Sequence, residues 1–240
     1  MTEPTRQRWL ILAHAFNMDG RAASQTITDK LPHLRQAGIE VVVLSGVSGS
    51  KDKVVEHHQL WPAGPAGLRF ELRHVLRRRF ANPVAYRLLM TLATLVLLPG
   101  LIIEKLLRPV ESSWSWWFSA WLTGRALARQ QPFDLIYSTG GAFAAHLAGR
   151  ALKRATGTPW LAEVHDPFIT PGSTPHTAQQ KMQARVEALI CRPRRSSSIT
   201  MPSGPTSSRR AGRRRSVPSP TLSTKTPACR TGMRVLNVAL

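Results

Sequence analysis

Cysteine is scarce in this sequence, and its scarcity argues against two classes of protein. Cys191 and Cys229 are the only cysteines among 240 residues, too few for a disulfide framework or a paired-cysteine metal site. The first residues, MTEPTRQRW, also lack the basic segment and separate apolar segment of a signal peptide. We therefore expect a cytoplasmic protein without a bound metal ion.

Acidic residues are also few, and the last part of the chain has none. The sequence has 33 Lys and Arg against 13 Asp and Glu, a net charge of +20. Residues 192–240 hold 11 of the basic residues and no acid, where ordinary composition would supply about six acids. Residues 1–191, with 22 basic and 13 acidic residues, are only moderately basic.

This composition allows two interpretations of residues 191–240, which we expect to be disordered. The segment is rich in Arg, Ser and Pro and has no aromatic residue. Since these residues have GC-rich codons, we favour a frameshift or gene fragment, which the nucleotide sequence past codon 191 would test. The alternative is a genuine basic arm that binds nucleic acid or anionic lipid by charge. On the favoured interpretation the charge of this tail predicts no nucleic-acid partner.

Several catalytic motifs are missing as well. The sequence has no G-x-S-x-G, no Walker A loop, no H-E-x-x-H and no C-x-x-C pair. The first predicted strand is not followed by G-x-G-x-x-G, so the dinucleotide-binding fingerprint is absent too.

Strand and helix patterns do alternate twice along residues 1–190. Residues 8–16 and 39–46 are short apolar runs typical of buried parallel strands, with a helical pattern between them. Residues 133–141 and 158–167 repeat the strand-then-loop pattern around a second helix. Two β-α-β units predict an α/β domain, a Rossmann-like parallel sheet with flanking helices.

Ligands of such sheets bind at the carboxyl ends of the strands, which places three loops on one rim. The first loop contains Asp19, Gly20 and Arg21. Its glycine would allow close backbone approach, the following helix N-terminus favours an anion, and the guanidinium could contact a phosphate. An ordinary turn with a solvated arginine explains the same residues equally well.

The second loop contains Thr139, Gly140 and Gly141 between a strand and a helix. Two glycines beside hydroxyl groups suit a ligand-lining loop, although a tight turn with a threonine cap has the same composition. His146 follows on the helix, where a packed histidine is the more common role than a catalytic one.

The third loop is the stretch EVHDP, which begins at Glu163. Either Glu163 or Asp166 could orient His165 as a base, or His165 could hydrogen-bond a sugar hydroxyl. An Asp-Pro turn with a polar rim is the structural alternative. We favour a functional role because the residue types and the rim position agree.

The middle of the chain, residues 68–122, allows three interpretations. A basic segment, the uncharged run 88–103 and a stretch with four tryptophans (113–122) follow one another. We favour core helices first and a peripheral membrane surface second, since a basic helix, an apolar segment and an aromatic belt are its usual parts. A membrane span comes third, because 16 residues interrupted by Pro-Gly are short of the roughly 20 required.

Taken together, HAFNMDGRAASQT and FDLIYSTGGAFAAHLAGRALKRATGTPWLAEVHDPF resemble the N-terminal domain of GT-B-fold glycosyltransferases of the family-4 type. The resemblance covers about residues 8–190. It implies transfer of a sugar from a nucleotide sugar, with retention of configuration, to a saccharide or lipid-linked acceptor, as in bacterial polysaccharide or glycolipid synthesis. It implies no other cofactor. In such enzymes the N-terminal domain mostly holds the acceptor.

The same resemblance suggests roles for the three loops. It places Gly20 and Arg21 opposite the donor phosphates and acceptor, and it places Thr139–Gly141 with His165 and Asp166 on the acceptor side of the cleft. Some relatives have a histidine where this chain has Thr139, so the resemblance assigns no catalytic base.

The resemblance also implies a second, donor-binding domain after residue 190, with two glutamates eight positions apart. Residues 188–240 contain no acid, so we expect residues 1–190 to be an acceptor-binding half that does not transfer sugar efficiently alone. The alternatives are a non-catalytic membrane- or glycan-binding module and a basic-tailed anion-binding protein.

Overall fold

A single parallel sheet organises the described part of the protein. The computed structural model describes residues 7–20, 22–107, 112–140, 142–165 and 174–191. The strands are β1 (Arg8–Leu12), β2 (Glu40–Gly46), β3 (Glu56–Leu60), β4 (Leu135–Gly140) and β5 (Trp160–Val164). They pair in parallel in the order β3-β2-β1-β4-β5. The predicted Rossmann-like α/β fold is confirmed.

Helices connect and flank these strands. They are α1 (Ala22–Gln36), α2 (Pro65–Arg79), α3 (Pro83–Leu107), α4 (Trp116–Gln130), α5 (Phe143–Thr156) and α6 (Ala178–Cys191). Both predicted β-α-β units, β1-α1-β2 and β4-α5-β5, are present. The tail predicted for residues 191–240 lies outside the described residues, apart from Cys191 at the end of α6.

The two faces of the sheet are covered by different helices. Leu12 of β1 packs with Trp116 of α4 and Leu152 of α5 on one face. Its neighbour Ile11 points the other way and packs with Ile27 of α1. All five side chains are completely buried, and each such burial stabilises the fold by about 1.5–3 kcal/mol.

Strand β3 is an element that the sequence patterns did not predict. Its sequence EHHQL has one aliphatic residue and no apolar alternation, so it lacks the usual signal of a strand. It forms because its backbone pairs with β2 at the edge of the sheet, where few apolar contacts are needed.

The long apolar segment in the middle corrects one expectation. The favoured interpretation of residues 88–103 as core is wrong, because no residue of the 25-residue helix α3 is buried. Pro99 lies inside this helix rather than interrupting it. The core interpretation does hold for part of α4, where Trp116 and Ala120 are fully buried.

The strand order reverses between β1 and β4. Strands β2 and β3 extend the sheet on one side of β1, and β4 and β5 extend it on the other. The connections after β1 and β4 therefore leave the sheet in opposite directions, which opens a crevice at their carboxyl ends. The candidate site lies at this edge.

Candidate functional site

The structure places the predicted site residues on this carboxyl edge but not all in one group. Asp19 and Gly20 lie in the connection after β1 and are exposed. Gly20 has φ 69° and open space where a side chain would be, so it supports a left-handed turn rather than a close backbone approach. Arg21 lies outside the described residues.

The second and third loops do come together. Thr139 and Gly140 are the last residues of β4 rather than loop residues, and Thr139 pairs in register with Glu163 of β5. His165 follows β5, and its Nε2 lies 3.1 Å from Thr139 Oγ1. Gly141 and Asp166 lie outside the described residues, so the predicted contact of Asp166 with His165 stays a prediction.

Glu163 is the centre of a hydrogen-bond network that spans α1, β4 and β5. Its Oε1 accepts a hydrogen bond from Lys30 Nζ at 2.6 Å. Its Oε2 accepts one from Thr139 Oγ1 at 2.7 Å and another from the Tyr137 hydroxyl. Lys30 Nζ also donates to the Tyr137 hydroxyl oxygen at 2.9 Å. We call Lys30, Tyr137, Thr139, Glu163 and His165 the rim network.

These contacts fix the charges of the rim network. Burial alone would raise the pKa of Glu163, but the hydrogen bonds from Lys30, Tyr137 and Thr139 outweigh it and lower that pKa to about 2. Burial, reinforced by the neighbouring Glu163 carboxylate, raises the pKa of Tyr137 above its ordinary value. At neutral pH the network therefore contains an ionised glutamate and a neutral tyrosine.

The same contacts assign a tautomer to His165. Because ionised Glu163 can only accept, the Thr139 hydroxyl must use its hydrogen on Glu163. Thr139 Oγ1 then accepts from His165 Nε2, which must carry a proton. In the neutral ring this leaves Nδ1 as the basic nitrogen, suited to accept a hydrogen bond from a hydroxyl group.

His146 has the packing role that the sequence favoured. It is fully buried on α5, and its Nε2 lies 3.2 Å from the Gly140 carbonyl oxygen, to which it must donate. Its Nδ1 can accept from Ser138 Oγ at 2.9 Å, and Ser138 Oγ accepts from Trp160 Nε1. Burial lowers the pKa of His146 to about 4, so the ring is neutral and supports the end of β4.

A second pair of polar side chains, His14 and Glu71, lies on the other side of the crevice, at the ends of β1 and β2. His14 Nε2 is 3.1 Å from Glu71 Oε1, and the two side chains are 5% and 0% exposed. The angles are not those of a hydrogen bond, so neither Glu71 oxygen has a hydrogen-bond partner within the described residues. A methyl group at Gly46 would lie 2.7 Å from Glu71 Oε1, so glycine makes room for this carboxylate.

Sequence reasoning missed Lys30, Tyr137, His14 and Glu71. A signal for Lys30 existed, since it lies between Ile27 and Leu31 on the helix face that packs against the sheet. Glu71 gave no comparable signal, because an acid inside the arginine-rich helix α2 looks like an ordinary solvated residue.

Comparison with known proteins assigns no family to this chain. No protein-family model matches the chain, and no curated protein matches it either. Within the described ranges, no group of three or more His, Cys, Asp or Glu side chains is placed to hold a metal ion. The fold defines a Rossmann-like α/β domain with a polar rim at the carboxyl ends of its strands.

Proposed function

We propose that this protein is the acceptor-binding half of a retaining glycosyltransferase of polysaccharide or glycolipid synthesis. A nucleotide sugar is the donor substrate, and a saccharide or lipid-linked molecule is the acceptor. The observation that carries the proposal is the pairing of Thr139 with Glu163 and His165 at the carboxyl ends of neighbouring strands, beside the crevice where such sheets bind ligands.

The rim network has the chemistry that recognition of a sugar needs. Sugar hydroxyls both donate and accept hydrogen bonds, so a binding site needs donors and acceptors fixed in position. Lys30 supplies ammonium donors, and the Glu163 carboxylate and His165 Nδ1 supply acceptors. Glu163 and Lys30 are 34% and 41% exposed, which leaves both accessible to a ligand.

Glu163 positions other groups on this proposal and is not the base. A carboxylate that accepts from Lys30, Tyr137 and Thr139 and has a pKa of about 2 removes a proton from a hydroxyl poorly. Its bond to Thr139 instead orients the threonine oxygen toward His165. Asp19 and Gly20 lie on the exposed loop after β1, and on this proposal the donor phosphates approach that loop.

Saturation-transfer NMR on the full chain tests the proposal with methyl glycosides of glucose, galactose and N-acetylglucosamine as probes. We expect a saturation-transfer signal, and so binding, for at least one glycoside. His165→Gln and Thr139→Val should each bind this glycoside about tenfold more weakly, a loss typical of one hydrogen bond to a charged or positioned group. His33→Gln is the matched control, since His33 is an exposed histidine of α1.

The proposal is contradicted if neither His165→Gln nor Thr139→Val changes the affinity for any of the glycosides. Turnover tests whether this chain transfers sugar without a second domain. With UDP-glucose or UDP-N-acetylglucosamine added, we expect binding without transfer by this chain alone. Efficient transfer would contradict the expectation that the chain needs a separate donor-binding domain.

A further inference from the structure

Helix α3 has an apolar face that no other described element covers. Leu88, Leu92, Leu95, Ile102 and Leu106 follow a 4-3-7-4 spacing and so lie on one side of the helix. These five side chains are between 52% and 79% exposed. No residue of α3 is buried, which distinguishes it from a core helix of similar composition. A continuous exposed patch of this kind marks an interaction surface.

Within residues 65–107 the exposed charges near this face are positive. Within residues 65–107, which the structure describes completely, the acids are Glu71 and Glu104. Glu71 is fully buried beside His14. The Glu104 carboxylate turns toward the body of the protein, where it accepts from the Ala66 backbone N–H at 2.8 Å and from the Trp114 indole.

The exposed charges that remain belong to basic residues. On α2 they include Arg69, Arg73, Arg77 and Arg79, and on α3 they are Arg87 and Lys105. An apolar face bordered by cations, without an exposed acid in residues 65–107, is complementary to a surface that is apolar inside and anionic outside. An anionic phospholipid leaflet has this arrangement.

The contacts between α2 and α3 indicate whether α3 crosses such a membrane or lies in one leaflet. A 25-residue helix is about 37 Å long, enough to cross a hydrocarbon core of about 30 Å. However, Arg69 Nε donates to Thr94 Oγ1 at 3.0 Å, close to the middle of α3. If α3 crossed the bilayer, Arg69 would lie near its midplane, where a guanidinium is strongly disfavoured.

We propose that α2 and α3 form a lipid-binding hairpin that lies in one leaflet of an anionic membrane. The exposed leucine face of α3 enters the hydrocarbon, and the arginines of α2 stay among the headgroups. The hairpin uses none of the rim network, so Thr139→Val should bind vesicles like the wild type whether or not the proposed sugar site is correct.

Vesicle sedimentation of the full chain tests the apolar contact. The probes are vesicles of phosphatidylcholine with phosphatidylglycerol, and assays at about 1 M salt, where the Debye length is about 3 Å, suppress charge-driven binding by the basic tail. Val96 lies on α3 one turn after Leu92 and beside Leu95, at the border of the exposed apolar face. We expect Val96→Glu to lower the partition coefficient about tenfold. Val54→Glu is the matched control because Val96 and Val54 are 71% and 65% exposed. Equal binding by both variants would overturn the proposal.

Low-salt sedimentation tests the basic part of the surface. We expect Arg73→Gln and Arg77→Gln each to weaken binding about fivefold at low salt, the usual effect of one cation near an anionic surface. Arg129→Gln, at an exposed arginine of α4, should bind like the wild type. Equal losses in all three variants would mean that only total charge matters, and would refute a specific surface.

Labelling with a membrane-impermeant maleimide distinguishes the hairpin from a span. With Arg87→Cys and Lys105→Cys, at the two ends of α3, peptide-resolved labelling on sealed vesicles should modify both positions from outside. Protection of one position until detergent is added would show that α3 crosses the bilayer, against the proposal.

Discussion

The carboxyl edge of the sheet carries one glutamate on each side of the junction between β1 and β4. Glu71 approaches the β1–β2 side from α2, is completely buried, and lies with its Oε1 3.1 Å from His14 Nε2. Glu163 lies on the β4–β5 side, is about one-third exposed, and accepts hydrogen bonds from Lys30, Tyr137 and Thr139. The two sides therefore use the same side chain for different purposes.

This difference separates a buried contact between elements from a polar group that solvent can reach. Glu71 is inaccessible to a ligand, and its pairing with His14 fixes α2, the basic helix of the proposed lipid surface, to the end of β1. Glu163 remains in reach of solvent, with its charge neutralised and its neighbours oriented. Three experiments test how far this contrast holds.

Glu71→Ala should have the largest effect. It removes a completely buried side chain between α2 and the end of β1, and the cavity that remains typically costs about 3 kcal/mol of unfolding free energy. Urea denaturation would measure it, with Asp29→Ala, at an exposed residue of α1, as the control expected to change stability by less than about 0.5 kcal/mol. Equal stability of the two variants would mean that the buried pair does not hold α2 in place.

Lowering the pH should reduce the unfolding free energy through His146, which supports the end of β4 from within the core. The pKa of His146 is lowered to about 4 by burial, below its unfolded value of 6.5, so its contribution to stability is complete above pH 6.5 and is lost as the pH falls from 6.5 through 4. We expect this residue to account for a loss of about 2 kcal/mol between pH 7 and pH 5. Urea titrations should show a smaller pH dependence in His146→Gln than in the wild type or in His33→Gln. Parallel curves for all three proteins would contradict a neutral, buried His146.

Lys30→Met should give the smallest change in stability, and it tests only the β4–β5 side, where Glu163 lies. The folded pKa of Glu163, about 2, lies below its unfolded value of 4.5, so the ionised carboxylate stabilises the fold above pH 4.5 and this contribution disappears as the pH falls toward 2. Because a third of the Glu163 side chain is in solvent, we expect Lys30→Met to lower the unfolding free energy at neutral pH by about 1 kcal/mol. A side-chain carboxyl NMR titration should show a higher pKa for Glu163 in Lys30→Met but not in Lys153→Met, at an exposed lysine of α5. An unchanged pKa in Lys30→Met would mean that Lys30 does not set the charge of the rim network.

The sequence predicted the alternation of strands and helices because apolar spacing is a local property. The units β1-α1-β2 and β4-α5-β5 both follow from runs of fewer than 20 residues. Strand β3 did not follow, since its polar sequence pairs only because β2 offers an edge.

The candidate site was predictable only in part, for a related reason. Thr139 and His165 could be placed on the rim because each follows or ends a predicted strand. Lys30 contacts Glu163 across 133 positions of sequence, and this contact depends on the packing of α1 against the sheet, which no local pattern specifies. Helix α3 shows the same limit, because an apolar run does not reveal whether another element will cover it.

The pairing of β1 with β4 also has a consequence for how the chain reaches its native state. The Arg8 backbone N–H donates to the Asp134 carboxylate across 126 positions, so the centre of the sheet closes only after the whole α2–α3 segment has been made. Contacts of such high sequence separation slow folding, because the entropy of closing a long loop is lost before the contact forms. During synthesis the apolar helix α3 therefore emerges before its sheet is complete, and an early lipid contact would protect this segment from aggregation while β4 finds β1.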